Sequence, residues 1–546
     1  MLLLGRAGTG KSQVLRALRF FVEQFHTVLG LPTQNTVQFC APTGCAAALL
    51  RAQTVHSLLG VNVYLNQRTK TRVKGRKERM AAWSSTGLVV VDEVSMVPTP
   101  MHDVMGRVVA ELRGDEDTMY ADVSVCWCGD MRQFPPPNML RHGGRWFDSD
   151  DVPAANDRRG TSNMVTRDRN ILQSVNAVIV LDEGKRFRQE QWDGILRRLH
   201  TGPIQRSDIN ALVRRVLAQG CPLPTPTAVP GAPPTLHMLV AWSNHLVHRI
   251  NNRMVAHAYA RLVEAGRGDE FLSLRAVVTH KHKSKVRACI RMHLRALPNI
   301  CTLQQTVELD TATLQHLASS FTLDKRNFAH FFLPLFPHCP VTVVENVAPK
   351  LGPAKGIAAT VAGVIPVRPG MRPRTASDVE AVLLKSDSDP DRNFMDGLPP
   401  GHFYVRPRRM SVTLKHATLP PTEEGARPIT VNSLTLSVFQ LPITISFSMT
   451  CHKSQGRSLD SCVSMQLDPQ LVACMLYVAA SRSRTLEGFS MLHSVPNDIL
   501  SYANDASYWR FHAWCTRLHN ATVRRMGAPL EQDPLPEPLP RDLATP

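Results

Sequence analysis

The chain has 546 residues, an apolar content of 43% and a formal net charge of +18. No run of 18 uninterrupted apolar residues occurs, so no membrane span is expected, and the basic balance points to an anionic partner. The twelve cysteines are scattered without a C-x-x-C pair, which argues against structural zinc or a disulfide framework and for a reducing compartment. The length suits about three or four domains.

Met1–Leu4 reads as a short apolar strand, so no signal peptide is expected. Gly5-Arg6-Ala7-Gly8-Thr9-Gly10-Lys11-Ser12 follows and fits G-x-x-x-x-G-K-[ST]. Gln13–Gln24 then reads as a helix, with Val14, Leu15, Leu18, Phe21 and Val22 at helical spacing. Strand, loop and helix together are the context of a phosphate cradle: backbone N–H groups turn inward and the helix N-terminus adds partial positive charge. Lys11 would reach the β/γ-phosphates and Ser12 would ligate Mg²⁺.

Apolar strand-like runs alternate with helical patterns through residues 1–150, the signature of an α/β fold with a parallel sheet. "LVVVDEVSM" puts Asp92 and Glu93 at a strand end, where an aspartate holds Mg²⁺ through water and a glutamate polarises the attacking water. "CWCGDMRQFPP" puts Gln133 at another strand end, able to sense the γ-phosphate or orient the water. Cys126 and Cys128 would share one face of that strand. Residues 68–79, "RTKTRVKGRKER", carry seven basic side chains. They read either as a phosphate-contacting, strand-splitting element or as a solvated loop.

Residues 144–170 are polar and turn-rich. A second alternating region follows and carries Arg188 in "KRFRQ", with Arg186 nearby, and a Pro-rich linker at 222–234. Residues 340–440 change to short β-type runs between Pro/Gly/Asp turns, a small barrel or sandwich pattern inserted into the α/β part. The α/β character returns at 441–500 with Arg482 in "LYVAASRSRTLEGF", and a Pro-rich tail closes the chain. Arginine donates in a charged fork that suits a developing phosphoryl charge.

In order, "GRAGTGKS", "APTGCAAALL", "TVHSLLG", "VVVDEVSM", "GDMRQFPP", "RFRQ", "MTCHKSQGRSLD" and "LYVAASRSRTLEGF" resemble the helicase motifs of the Pif-family, the 5′→3′ branch of helicase superfamily one, related to RecD. The likeness runs from residue 1 to about 495. "PVTVVENVAPKLGPAKGIAATVAGVI" resembles the entry to that family's inserted SH3-like domain. The resemblance implies two RecA-like domains with parallel sheets and ATP between them, plus a small SH3-like β-barrel. The expected division is a first RecA-like domain at 1–150 with a basic wedge-like insert near 61–82. A linker at 151–175 leads to the second RecA-like domain at 176–338 and 441–520, interrupted by the inserted β domain at 339–440. A disordered tail occupies 521–546.

The resemblance further implies catalytic roles for Lys11, Glu93, Gln133, Arg188 and Arg482. Gly5, Gly8, Thr9, Gly10, Lys11, Ser12, Gln13, Asp92 and Gly456 would bind the nucleotide, and Ser12 and Asp92 would hold Mg²⁺. Pro42, Thr43, His56, Asn244, His452 and Ser454 would lie near the DNA. The implied partner is single-stranded DNA or a DNA junction, the protein a monomer away from membranes, and the compartment nucleus or mitochondrion in a eukaryote. An alternative is a degenerate mobile-element or viral relic that binds nucleic acid without productive unwinding; another is an RNA-directed NTPase. Three departures stand out. No Leu-Asn-x-x-Gln-type adenine-contacting element precedes Met1, Ala358-Ala359 stands where the family has Asn-Gly, and the last motif reads A-A-S-R. The first makes weak base contacts and an exposed or frayed first strand the expectation.

Overall fold

In the computed structural model the described residues are 1–30, 36–50, 52–61, 76–115, 118–136, 174–202, 204–218, 238–280, 307–309, 311–320, 331–345, 356–387, 390–419, 429–467, 472–496, 499 and 505–527. They fall into two compact units. Met1–Ser243 with Met449–Pro546 is one, and Asn244–Ser448, inserted in its chain, is the other.

The first unit contains two α/β sheets. Strands β1 (Leu2–Gly5), β2 (Val37–Ala41), β3 (Gln53–Thr54), β4 (Leu88–Val91), β5 (Ser124–Gly129) and β6 (Val178–Leu181) build one of them. Its order is β3-β2-β4-β5-β1-β6, parallel throughout. Strands buried on both faces read as continuous apolar runs, and Leu2-Leu3-Leu4 and Val89-Val90-Val91 are such runs, all buried. β1 lies inside the sheet, with Leu2–Leu4 paired to Trp127–Gly129 on one side and to Val178–Val180 on the other. The expectation of a frayed or exposed first strand is therefore corrected: β6 covers its second edge. The expected second-domain segment 176–338 is corrected with it, because β6 belongs to the first sheet and the chain from Asn244 belongs to the inserted unit.

Helix α1 (Lys11–Val28) packs Leu15 over Leu3, Val90, Cys126 and Cys128, so the two cysteines do share a face, as alternation along a strand requires. The apolar spacing read in Gln13–Gln24 overstated its buried stripe: Val14 and Phe21 are exposed. The opposite face buries Leu2, Leu4 and Trp127 against Met105 and Val108 of the helix Thr99–Arg113. Phe511, Trp514 and Leu518 of the final helix, Ala506–Gly527, complete that face. Thr522 of this helix is buried and its hydroxyl accepts from the Val178 N–H at 3.2 Å. The tail expected from 521 is thus helical to Gly527, and the rest of it lies outside the described residues.

The second sheet has the order Ser448–Thr450, Met238–Ala241, Cys462–Ser464, Phe489–Met491. Cys462–Ser464 runs parallel to both neighbours. Trp192, Ile195 and Leu199 of the helix Glu190–Thr201 and Met475–Ala480 of the helix Val472–Ala480 pack on it. Two α/β sheets of this kind fit the two RecA-like halves that the resemblance implies.

The inserted unit is β-rich. Residues 402–405, 379–386, 358–366, 340–343 and 443–445 form a five-stranded antiparallel sheet in that order. The hairpin Arg408–Leu419 with Ile429–Gln440 leaves it and pairs with Val277–His280, which pairs with Val307–Glu308. The single module expected at 339–440 is thus two sheets, because the hairpin finds its neighbour upstream of the segment. Ala358-Ala359 opens a buried strand rather than a turn. Of the basic insert, 68–75 lies outside the described residues, as do 151–173 and the Pro-rich 222–234. The helix Arg76–Trp83 follows, and Arg79 donates to the Leu58 carbonyl at 2.5 Å.

Candidate functional site

The loop after β1 closes on itself. Thr9 Oγ1 donates to the Arg6 carbonyl at 2.9 Å, and Lys11 Nζ donates to the carbonyls of Gly5 and Arg6 at 2.5 and 3.0 Å. Gly8 stands at φ 85°, and a Cβ there would lie 2.7 Å from the Phe187 ring, so both backbone and space demand glycine. Gly5 abuts Thr9 and Leu181. Gly10, also at positive φ, leads into α1, whose first turn carries Ser12 and Gln13, both exposed.

Asp92 and Glu93 follow β4, and both are buried. Glu93 sits at φ 54°, a left-handed conformation that a side chain normally avoids and that clusters at functional sites. Gly129, at the end of β5, accommodates this turn: a Cβ there would come within 2.8 Å of the Val94 nitrogen. Asp92 Oδ1 accepts from the Glu93 N–H at 2.9 Å. Burial raises the Asp92 carboxyl, opposed by that bond and by Lys11. Glu93 is pushed up to about 7 by burial and by Asp92, against Lys11, Arg482 and Gln455. Gln133 is buried; its Nε2 donates to Asp130 Oδ2 at 3.1 Å and its Oε1 has no partner among the described residues.

The second sheet contributes Arg482, buried at the end of the helix Val472–Ala480. Its Nε donates to the Val478 carbonyl at 2.8 Å, Nη2 to Ser481 Oγ at 2.7 Å, and Nη1 to the Ser454 and Arg457 carbonyls at 3.4 Å each. Burial lowers its pKa, opposed first by Glu93. Arg186 also enters the cluster: it donates to the Ser481 carbonyl at 3.0 Å, and burial with the neighbouring Arg482 lowers it to about 9. Arg188 does not enter. Its side chain is exposed, with its N–H on the Arg484 carbonyl. Of the two arginines in "RFR", the structure turns in the first.

Four residues that motif reading passed over bind the site together. Ala7 N–H donates to Tyr477 Oη at 2.9 Å, and Tyr477 O–H donates to Asp130 Oδ2 at 2.8 Å. Asp130 Oδ1 meets His200 Nε2 at 2.8 Å. Burial would raise Asp130, but His200 and Gln133 hold it well below the usual carboxylate range. The fourth is Gln455, whose Nε2 donates to Glu93 Oε2 at 2.7 Å. Gly456 turns the chain after it, at φ 75°.

The residues expected near DNA divide. Pro42 and Thr43 follow β2, half-buried, with Thr43 Oγ1 accepting from the Ala46 N–H. His56 is half-buried on the helix Val55–Leu59, and burial lowers its pKa. His452 is exposed and stacks on Phe134 with ring centroids 4.0 Å apart. Ser454 is corrected: it is fully buried and its hydroxyl donates to the Cys451 carbonyl at 2.7 Å, so it offers nothing to a strand. Asn244 opens the helix Asn244–Glu264 of the inserted unit.

For a cation, Ser12 and Asp92 are hard oxygen donors beside the phosphate loop. Among the described residues no three or more His, Cys, Asp or Glu gather as a metal cage. A cation here would complete its shell with phosphate oxygens and water, the habit of Mg²⁺ rather than of a caged ion.

Residues 1–146 match the PIF1-like helicase family model. The ATP-dependent DNA helicase PIF1 of Danio rerio is 22% identical over 496 residues, 90% of this chain and 58% of that protein. The chain thus spans under two thirds of that relative's length. Pif1 helicase from Candida albicans shares the fold with a TM-score of 0.56 at 16% identity, over 92% of this chain and 95% of that one. Bacteroides Pif1 bound to single-stranded DNA superposes with a TM-score of 0.54 at 17% identity, over 91% and 90%. The order of the motifs and the match over residues 1–146 make the chain similar to the Pif-family of superfamily-one helicases, and the solved Pif1 structures share its fold.

Proposed function

We propose that the chain is an ATP-dependent DNA helicase that moves 5′→3′ on single-stranded DNA. The observation that carries this is the meeting of Glu93, at the end of a first-sheet strand, with Arg482 and Gln455 from the second-sheet half, beside a phosphate loop. A hydrolytic site made of two halves changes when its nucleotide changes, which is how ATP turnover becomes movement. Lys11 would leave the Gly5 and Arg6 carbonyls for the β/γ-phosphates, and Glu93 would polarise the attacking water. Gln133, with its free Oε1, would orient that water. Arg482, with Arg186, would stabilise the developing charge. Mg²⁺, held by Ser12 and Asp92, would supply charge neutralisation on the phosphate oxygens. Pro42, Thr43, His56 and His452 would contact the strand without reading its sequence. The printed names of the relatives, an ATP-dependent DNA helicase and a Pif1 bound to single-stranded DNA, support the substrate.

The test is ATP hydrolysis with and without single-stranded DNA, then unwinding of duplexes carrying a 5′ or a 3′ tail. Stimulated turnover abolished by Lys11→Ala, with only the 5′-tailed duplex opened, is expected. Turnover indifferent to DNA would overturn the reading. Preference for the 3′ tail would overturn the polarity.

A further inference from the structure

Gln455 is the single hydrogen-bond partner of the Glu93 carboxylate among the described residues, and both side chains are buried. Glu93 holds a left-handed backbone conformation, and Lys11 and Arg482 act on its carboxylate by charge, so its direction is set by the one hydrogen bond from Gln455. Gln455 stands at the end of a short, tightly held segment. Upstream, Cys451–Ser454 is one helical turn whose exposed His452 stacks on Phe134, the residue after Gln133. Downstream, Gly456 reverses the chain. Beneath, Arg482 bridges the carbonyls of Ser454 and Arg457, on either side of Gln455. One turn of chain therefore presents His452 outward and Gln455 to the carboxylate.

We infer that Gln455 is a positioning residue for Glu93, and that it carries contact of DNA at His452 to the hydrolytic carboxylate. The inference rests on the proposed ATP hydrolysis and on the proposed contact of the strand with His452. A strand pressing on His452 moves a segment pinned by Arg482, and the displacement reaches Glu93 through one amide. The Glu93 Oε1 stays available for water while Oε2 is held. Loss of the amide leaves Glu93 without its orienting bond, and misdirected catalytic groups lose rate steeply.

The experiment compares Gln455→Ala and the near-isosteric Gln455→Met with the wild type, reading kcat and KM for ATP with and without saturating single-stranded DNA, and DNA affinity by fluorescence anisotropy. Both variants are expected to lose on the order of tenfold or more in DNA-stimulated kcat, with KM for ATP, DNA affinity and melting temperature close to wild type. Wild-type stimulation in Gln455→Met would mean that the side chain only fills space, and would overturn the inference. So would a loss of DNA affinity that accounts for the lost rate. A wild-type chain without stimulated turnover would remove the proposed function and this inference together, whereas stimulated wild type beside a stimulated Gln455→Met removes this inference alone.

Discussion

Arg6, within the phosphate loop, grips Asp193 of the helix Glu190–Thr201 with both prongs of its guanidinium, at 2.6 and 2.7 Å. The third donor, Nε, meets the Asp182 carbonyl at 3.2 Å. The arginine is buried and the carboxylate only partly exposed, so removing Asp193 leaves a nearly water-free charge unpaired. Asp193→Asn is expected to cost about 2–3 kcal/mol in urea unfolding, and Arg6→Lys nearly as much, since an ammonium cannot make the two-pronged contact. A loss below about 0.5 kcal/mol would show that solvent screens the pair.

Tyr477 lies between the Ala7 N–H and the Asp130 carboxylate, so one hydroxyl serves the phosphate loop and the end of β5. Tyr477→Phe strands a buried donor and removes a charge-assisted bond. A loss of about 1–3 kcal/mol is expected, with weaker ATP binding because the loop loses an anchor. Unchanged nucleotide affinity by calorimetry would confine the hydroxyl to stability.

Gly8→Ala adds a Cβ to a residue at φ 85° and drives it to 2.7 Å from the Phe187 ring. The loop must deform, so ATP affinity is expected to fall by an order of magnitude or more, while Gly30→Ala, at a positive φ with open space around it, leaves affinity intact. Equal affinities for the two variants would count against the cradle.

The placement of the candidate residues was legible in the sequence because it is local. Asp92, Glu93 and Gln133 follow short apolar strands, and Lys11 and Ser12 open the helix after the glycine loop, so their neighbours in sequence mark them. What joins them was not. Gln455 meets Glu93 across 362 positions and Tyr477 meets Asp130 across 347, and no period in a sequence records such a pairing. Both residues stood inside quoted motifs, "KSQG" and "LYV", without a role. Arg186 and Arg188 differ by two positions in an irregular segment, so the motif located the segment but not the side chain that turns inward. Sheet membership failed for a similar reason. "VIVL" at 178–181 is a short apolar run but carries no sign that β1 is its neighbour.

His102 tests the core by pH. It is buried, its ring stacks on Trp127 with centroids 4.8 Å apart, and burial lowers its pKa from 6.5 to about 4. The unfolded chain takes up this proton below its ordinary pKa while the folded chain resists. The stabilisation from keeping the ring neutral is therefore complete above pH 6.5 and fades as pH falls towards 4, on the order of 3 kcal/mol in all. Stability measured from pH 7.5 to 5 is expected to fall more in the wild type than in His102→Phe. Parallel curves would contradict a buried neutral imidazole.

The most direct test of the proposed two-sided hydrolytic site separates binding from turnover in Glu93→Gln. This variant is expected to bind ATP and single-stranded DNA as the wild type does, because the phosphate loop and His452 are untouched, and to lose hydrolysis by about 10²–10⁴-fold. Hydrolysis at the wild-type rate in Glu93→Gln would contradict it.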